Sequence, residues 1–290
     1  MKDLLNKLKY KIDIYLIIFI GLLALILLFY INYSAIVSSL FFIEGMWILS
    51  FFILFRIAIT AVMALIAFKT LFKQEKIHFM DVSFLFGLFF LGLTIGKALD
   101  LLYKLIFFTS ENLTKLKLLK IRYILIILTS APLILIGLNL IMFIKVKQYE
   151  DIKTFKNRTI LSIIILLLIV CIQTFLVLFA KDITQLRLML ICIHTPSLIW
   201  ILFTFIYAKK SQKIPQINSV IIGVAFLMDL ILYIGSTVIM PIKQTSNRFS
   251  IMYSVLAELF DLIVIIVIFI GYYNINLKDK FFFKNKGERN

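Results

Sequence analysis

The sequence predicts an all-α, polytopic integral membrane bundle of about eight transmembrane helices with both termini cytoplasmic. Three observations carry that expectation. The chain of 290 residues is 62% hydrophobic and only 16% charged, whereas soluble domains are nearer half apolar and a quarter charged. Apolar runs of membrane-spanning length recur from Ile14 to Tyr273, with gaps shorter than the ~50 residues a folded soluble domain needs. Lysine and arginine are unequally shared between alternate gaps, as the positive-inside rule requires.

Taken in order, residues 2–13 (KDLLNKLKYKID) form a basic segment with leucines at 4, 5 and 8, suited to the membrane interface. The run that follows it is long and has no small-x-small cleavage site after it, so it reads as a retained helix rather than a signal peptide. The predicted spans are 14–32, 46–69, 81–107, 121–145, 159–180, 187–208, 217–240 and 251–273. The region 35–72 is apolar for longer than one span needs. It is read as one long helix preceded by an apolar loop, with Glu44-Gly45 as the turn if it were two helices. Residues 14–273 are then the bundle, and 274–290 a basic cytoplasmic tail whose Phe281-Phe282-Phe283 sits at the inner headgroups. This arrangement places twenty basic residues inside and eight outside. Four of the eight, Lys115, Lys117, Lys120 and Arg122, crowd one outer loop, which reads either as a basic vestibule or as a sign that the third span is misplaced.

Composition also bounds function. Intrinsic disorder is excluded by the apolar content. A net charge of +16 on a soluble protein would suggest nucleic acid. Here the lysines lie in loops and tails, so the expected partner is a bilayer with anionic headgroups and not nucleic acid. Cys171 and Cys192 both fall inside apolar segments, against a disulfide framework or a cysteine-based metal site. No zincin H-E-x-x-H, G-x-S-x-G elbow or Walker loop occurs.

The chemistry-bearing residues are polar groups inside the spans. A charge in hydrocarbon costs ~2.5–3.5 kcal/mol on insertion scales and needs a partner or a wet cavity. Lys97, Asp100 and Lys104 share one helical face at i, i+3, i+7, and Arg56 and Thr60 share another. Lys104 is read as an interfacial lysine that snorkels outward. Gln173 lies in the outer third of its span, and His194 stands beside Pro196, which should kink its helix. Asp229, Tyr233 and Ser236 make one stripe, and Ser254, Glu258 and Asp261 another. Under the predicted topology all these groups lie between the midplane and the outer surface, although their helices run in opposite directions. Gly92-x-x-x-Gly96 reads as a helix-packing motif beside Lys97.

The predicted ligand-binding set is therefore Arg56, Lys97, Asp100, His194, Asp229, Tyr233, Glu258 and Asp261, with no catalytic residue and no cofactor. Deep charges number two cations against four carboxylates, which do not all stay ionised together in low dielectric. Protons, a metal cation or a cationic or zwitterionic ligand would balance them. The expected function is a receptor-like or sensory protein of the cell membrane. An outward-facing pocket takes a small polar or cationic ligand, and the chain signals through a separate cytoplasmic output protein. The alternative is a proton- or cation-coupled secondary transporter. A third reading is an intramembrane enzyme acting on lipid.

Overall fold

The computed structural model describes residues 2–73, 80–107, 109, 111–142, 152–211, 217–239 and 247–287, with side chains except at 2–11, 13, 152–156, 211, 236–239, 247–249 and 274–287. Expectations for the side chains of residues 2–11, Ser236 and Phe281–Phe283, and for most loop lysines, fall outside that set. Nine helices and no strand occur among the described residues: α1 Lys2–Ile31, α2 Tyr33–Phe42, α3 Met46–Lys73, α4 Val82–Ile106, α5 Asn112–Met142, α6 Ile152–Phe179, α7 Ile183–Ser211, α8 Ser219–Ile239 and α9 Asn247–Gly287. Helices are what a chain of this composition must form, because hydrocarbon offers no partner to an unsatisfied backbone group. Seven of them are long and apolar enough to cross a membrane. In α8 the described apolar stretch is Ser219–Gly235. The chain is an integral multi-pass membrane protein.

Two boundaries differ from the sequence expectation in ways that matter. The apolar stretch before the second long helix is itself a helix, α2, and not a loop. Its Ser39 is fully buried and donates its hydroxyl to the Leu105 carbonyl at the end of α4. That satisfies one of the carbonyls a helix C-terminus leaves free. Gly45, at φ 82°, then turns the chain into α3, a conformation glycine adopts without a Cβ clash. The long helix starts at 46 as expected. Second, α5 begins at Asn112, nine residues before the predicted 121. Lys115, Lys117, Lys120 and Arg122 therefore belong to a helix and not to an outer loop. Residues 2–13 are likewise continuous with the first span as one helix.

Successive long helices alternate in direction. Asn139 near the end of α5 donates to the Met80 sulfur just before α4, at 3.1 Å. At the opposite ends, Arg122 of α5 meets Asp100 of α4. Lys120 of α5 reaches the Leu178 carbonyl of α6 at 2.7 Å. The Asn218 amide beginning α8 donates to the Gly271 carbonyl of α9 at 2.8 Å.

In space, α3, α4, α5, α7, α8 and α9 close into a ring, each packed against the next and α9 returning to α3. Helices α1 and α6 lie outside it, on α4 and on α5. Their membrane windows are only 6% and 11% buried, against 61% for α5, because lipid is their main neighbour.

The ring is plugged over half its length by aromatic side chains. Phe86 of α4 stacks on Tyr272 of α9 at 5.0 Å. Phe205 of α7 lies parallel to Phe226 of α8 at 5.9 Å, and Phe89 and Phe90 reach Phe226 and Phe269. Such ring contacts add ~0.5–1.5 kcal/mol each beyond their buried area. This plugged half is the one that holds the start of α4 and the end of α7, called inner below.

The α4–α5 seam loosens toward the other half. A Cβ on Gly92 would stand 2.7 Å from Thr129 Oγ1 and 3.2 Å from its Cα. One turn on, Gly96 has nothing within 4 Å. The glycine pair is thus a packing motif at its first member only. We expect Gly92→Ala to cost ~1–3 kcal/mol through overpacking, and Gly96→Ala to be neutral or to stabilise by up to ~1 kcal/mol through helix propensity. Thermal unfolding midpoints of the two variants in detergent check this, and equal shifts would contradict the asymmetric seam.

Candidate functional site

Every helix of the ring sends polar side chains into its outer half. Arg56 of α3, Arg122 of α5, His194 of α7 and Glu258 of α9 lie ten to eleven residues from the outer starts of their helices. Lys97 of α4 and Asp229 of α8 lie nine and ten residues before the outer ends of theirs. At 1.5 Å per residue all six stand roughly 15 Å from one face of the bundle. The sequence expectation of a shared depth is met, and the ring supplies the convergence the sequence had to assume.

Glu258 is the most heavily paired group. It is 4% exposed and receives Arg56 Nη1 at 2.9 Å, Lys97 Nζ at 3.2 Å and Lys104 Nζ at 2.7 Å. Asp100, 1% exposed, takes Lys97 at 3.2 Å, Lys104 at 3.6 Å and Arg122 Nη2 at 2.9 Å. Asp261 takes Arg56 at 2.7 Å and Lys97 at 3.7 Å, and its side chain keeps 34% of its exposure. Lys97 and Lys104 each serve both Asp100 and Glu258. Beneath this layer, Thr94 of α4 donates to Thr60 of α3 at 3.1 Å, and Thr60 in turn donates to the Arg56 carbonyl. These threonines extend the polar seam between the two helices.

The i, i+3, i+7 spacing on α4 explains how one helix feeds two carboxylates, since its three charges share a face turned to α9 and α5. Spacing of i, i+3 does the same for Glu258 and Asp261 on α9.

The remaining predicted residues flank the network on the α7–α8 side. His194 and Tyr233 meet edge to face at 4.8 Å. Asp229 makes no hydrogen bond and no ion pair within 4 Å among the described residues. Its carboxylate interacts electrostatically with Asp261, Arg56 and Lys97, and His194 with Asp261. Pro196 does not end α7, which runs on to Ser211. Gln173, on the peripheral α6, donates to Ser197 of α7 at 3.1 Å, so it ties α6 to the ring instead of facing the network. Among the described residues no group of three His, Cys, Asp or Glu side chains is placed to hold a metal.

Two members escaped the sequence reading. Lys104 does not snorkel outward, because Glu258 lies 2.7 Å from its ammonium. Arg122 was counted as a loop residue, because the polar start of α5 hides its helical register. Only its i+7 spacing from Lys115 along a helix could have flagged it. With both included, the cations Arg56, Lys97, Lys104 and Arg122 match the carboxylates Asp100, Asp229, Glu258 and Asp261, four against four. The deficit of positive charge expected from the sequence is therefore removed, and with it the charge argument for a cationic ligand.

Removing one partner of a buried ion pair costs ~3–5 kcal/mol, because the other charge is left uncompensated. We expect Glu258→Ala, which strands three cations, to fall in or above that range. Asp261→Asn, at a wetter carboxylate, should cost about 1 kcal/mol or less. Lys104→Met added to Glu258→Ala should recover part of the loss. Unfolding midpoints of the single and double variants give the coupling directly.

No family model matches the chain, and neither a curated protein nor a solved structure does, so the site is read from its own geometry.

Proposed function

We propose that this is a receptor-like membrane protein whose ring binds a small polar ligand in its outer half and signals through a separate partner at the opposite, lysine-rich face. The observation that carries this reading is the division of the ring into a charged outer half and an aromatic inner half. The first offers a ligand polar groups from six helices. The second bars passage and couples the same helices by packing. Gly96, open on the α4–α5 seam between the Gly92–Thr129 contact and the Asp100–Arg122 pair, supplies room beside the network. The balanced charges favour a neutral or zwitterionic ligand over a simple cation. A ligand that competes for Lys97 or Lys104 would shift those ammonium groups between Asp100 and Glu258. That would move α9 relative to α4, which is the kind of two-state change a sensor requires.

A specific observation favours a second reading, a cation- or proton-coupled transporter. Asp229 carries a carboxylate toward the network without a paired cation among the described residues. A coupling ion would find its site there, and the aromatic plug would have to open during transport.

Two measurements test these readings. With Cys171 and Cys192 replaced by serine, Gly96→Cys should react with a membrane-impermeant thiol reagent from the outside only, and Phe86→Cys from neither side. Labelling of Gly96→Cys from the inside would reject the outward-facing site. Native mass spectrometry of the gently solubilised protein should show a retained small molecule that Asp229→Asn loses. Proton uptake into proteoliposomes, abolished by the same substitution, would instead establish the transporter.

A further inference from the structure

The outer end of the ring holds more positive charge than the network uses. Arg187, four residues into α7, is half-buried and has no carboxylate within 4 Å among the described residues. It approaches Tyr103 of α4 and Tyr123 of α5. Tyr103 is 6% exposed, and its hydroxyl stands beside Arg187 without a well-directed hydrogen bond. The guanidinium of Arg122 covers the Tyr103 ring at 5.7 Å. It spends Nη2 on Asp100 and keeps 25% of its side-chain exposure.

Arg187 stands outside the network's own balance of four cations and four carboxylates, with no carboxylate within 4 Å among the described residues. Among the described residues Asp100 is the only carboxylate paired with Arg122, and it already serves Lys97 and Lys104. Asp229 and Asp261 belong to other helices, α8 and α9. The Arg187 guanidinium and the buried Tyr103 hydroxyl beside it are both donors. Guanidinium forks match the planar oxygens of carboxylates and phosphates, and a phenol is a natural third donor.

We propose that Tyr103, Arg122 and Arg187 form an oxyanion-binding subsite at the outer end of α4, α5 and α7, which takes the carboxylate or phosphate group of a soluble molecule or of a phospholipid headgroup. The subsite does not depend on the receptor reading, and it serves a transporter equally. A ligand that occupied it together with the Asp229 side would be a zwitterion.

The test is thermal unfolding of the purified full chain in neutral maltoside detergent. Sodium phosphate and sodium acetate are each compared with sodium chloride at equal ionic strength. In parallel, micelles doped with phosphatidylglycerol are compared with micelles doped with phosphatidylcholine. We expect at least one oxyanion to raise the midpoint by roughly 2–6 °C at saturating concentration. Arg187→Gln should lose most of that rise while keeping its midpoint in chloride, because Arg187 has no carboxylate within 4 Å among the described residues. Tyr103→Phe should weaken the anion several-fold. A rise with phosphate or acetate identifies a soluble ligand, and a rise with phosphatidylglycerol alone identifies a headgroup. Either outcome supports the subsite. No rise beyond the controls, or a rise retained in full by Arg187→Gln, overturns it. Asp229→Asn should leave the rise in place, so the failure of this proposal is distinguishable from failure of the ligand site tested above.

Discussion

A carboxylate buried in a bilayer must be neutralised, and the whole outer half of this molecule is arranged around that requirement at Glu258. Three cations from two helices meet it. Two of them, the lysines of α4, also hold Asp100, which in turn receives Arg122 from α5. One constraint thus binds four helices. Ion pairs in a protein interior seldom stabilise more than the apolar packing they replace. In lipid the comparison changes. Two helices facing each other gain nothing from hydrophobic burial that lipid does not already give them. Polar groups that have no other partner therefore specify which helices become neighbours.

The inner half uses the other available device. Phe86, Phe89, Phe90, Phe205, Phe226, Phe269 and Tyr272 fill the ring by shape. Dispersion between close-packed atoms is what remains when the hydrophobic term cancels. Close glycines reinforce it: a Cβ on Gly271 would stand 2.6 Å from an Ile222 side-chain atom, and one on Gly87 2.7 Å from the Phe68 ring. The result is a bundle rigid at one end and held by exchangeable ionic contacts at the other. Motion is then easiest where the charges are.

Much of this was legible in the sequence. The apolar runs gave helix existence and order, and the charged stripes on α3, α4, α8 and α9 gave faces and depth. Each of those signals is periodic and local. What failed was the part decided at helix ends and between helices. The start of α5 is as polar as a loop, so Arg122 was excluded from the site, and the account of charge became two against four. Lys104 sits two residues from the end of α4, where a lysine usually turns to water, and only the position of α9 reverses that. The short α2 is apolar without a span's length, and what makes it a helix on the bundle rather than a loop is Ser39 meeting the end of α4. Ring order, with α1 and α6 outside, has no signature along the chain at all.

Correcting the charge account changes the chemistry that follows from it. With two cations against four carboxylates, an external cation is required for neutrality, and the ligand is implied by arithmetic alone. With Lys104 and Arg122 in place the network closes on itself, and a ligand is no longer needed to balance it. A closed network of this kind is still responsive, because two of its lysines are shared. Lys97 lies 3.2 Å from both Asp100 and Glu258, so a small change in field at either end decides where its ammonium rests. Asp229 of α8 and Arg187 of α7 stand outside the network's ion pairs, and neither has an oppositely charged group within 4 Å among the described residues. An anionic group at Arg187 would draw Arg122 from Asp100, leaving that carboxylate to the lysines and loosening Glu258. A cation at Asp229 would act on Asp261 and Arg56 in the opposite sense. Each charge would thus act through a different part of the network, Arg122 in one case and Arg56 in the other, and neither effect requires movement of the aromatic plug.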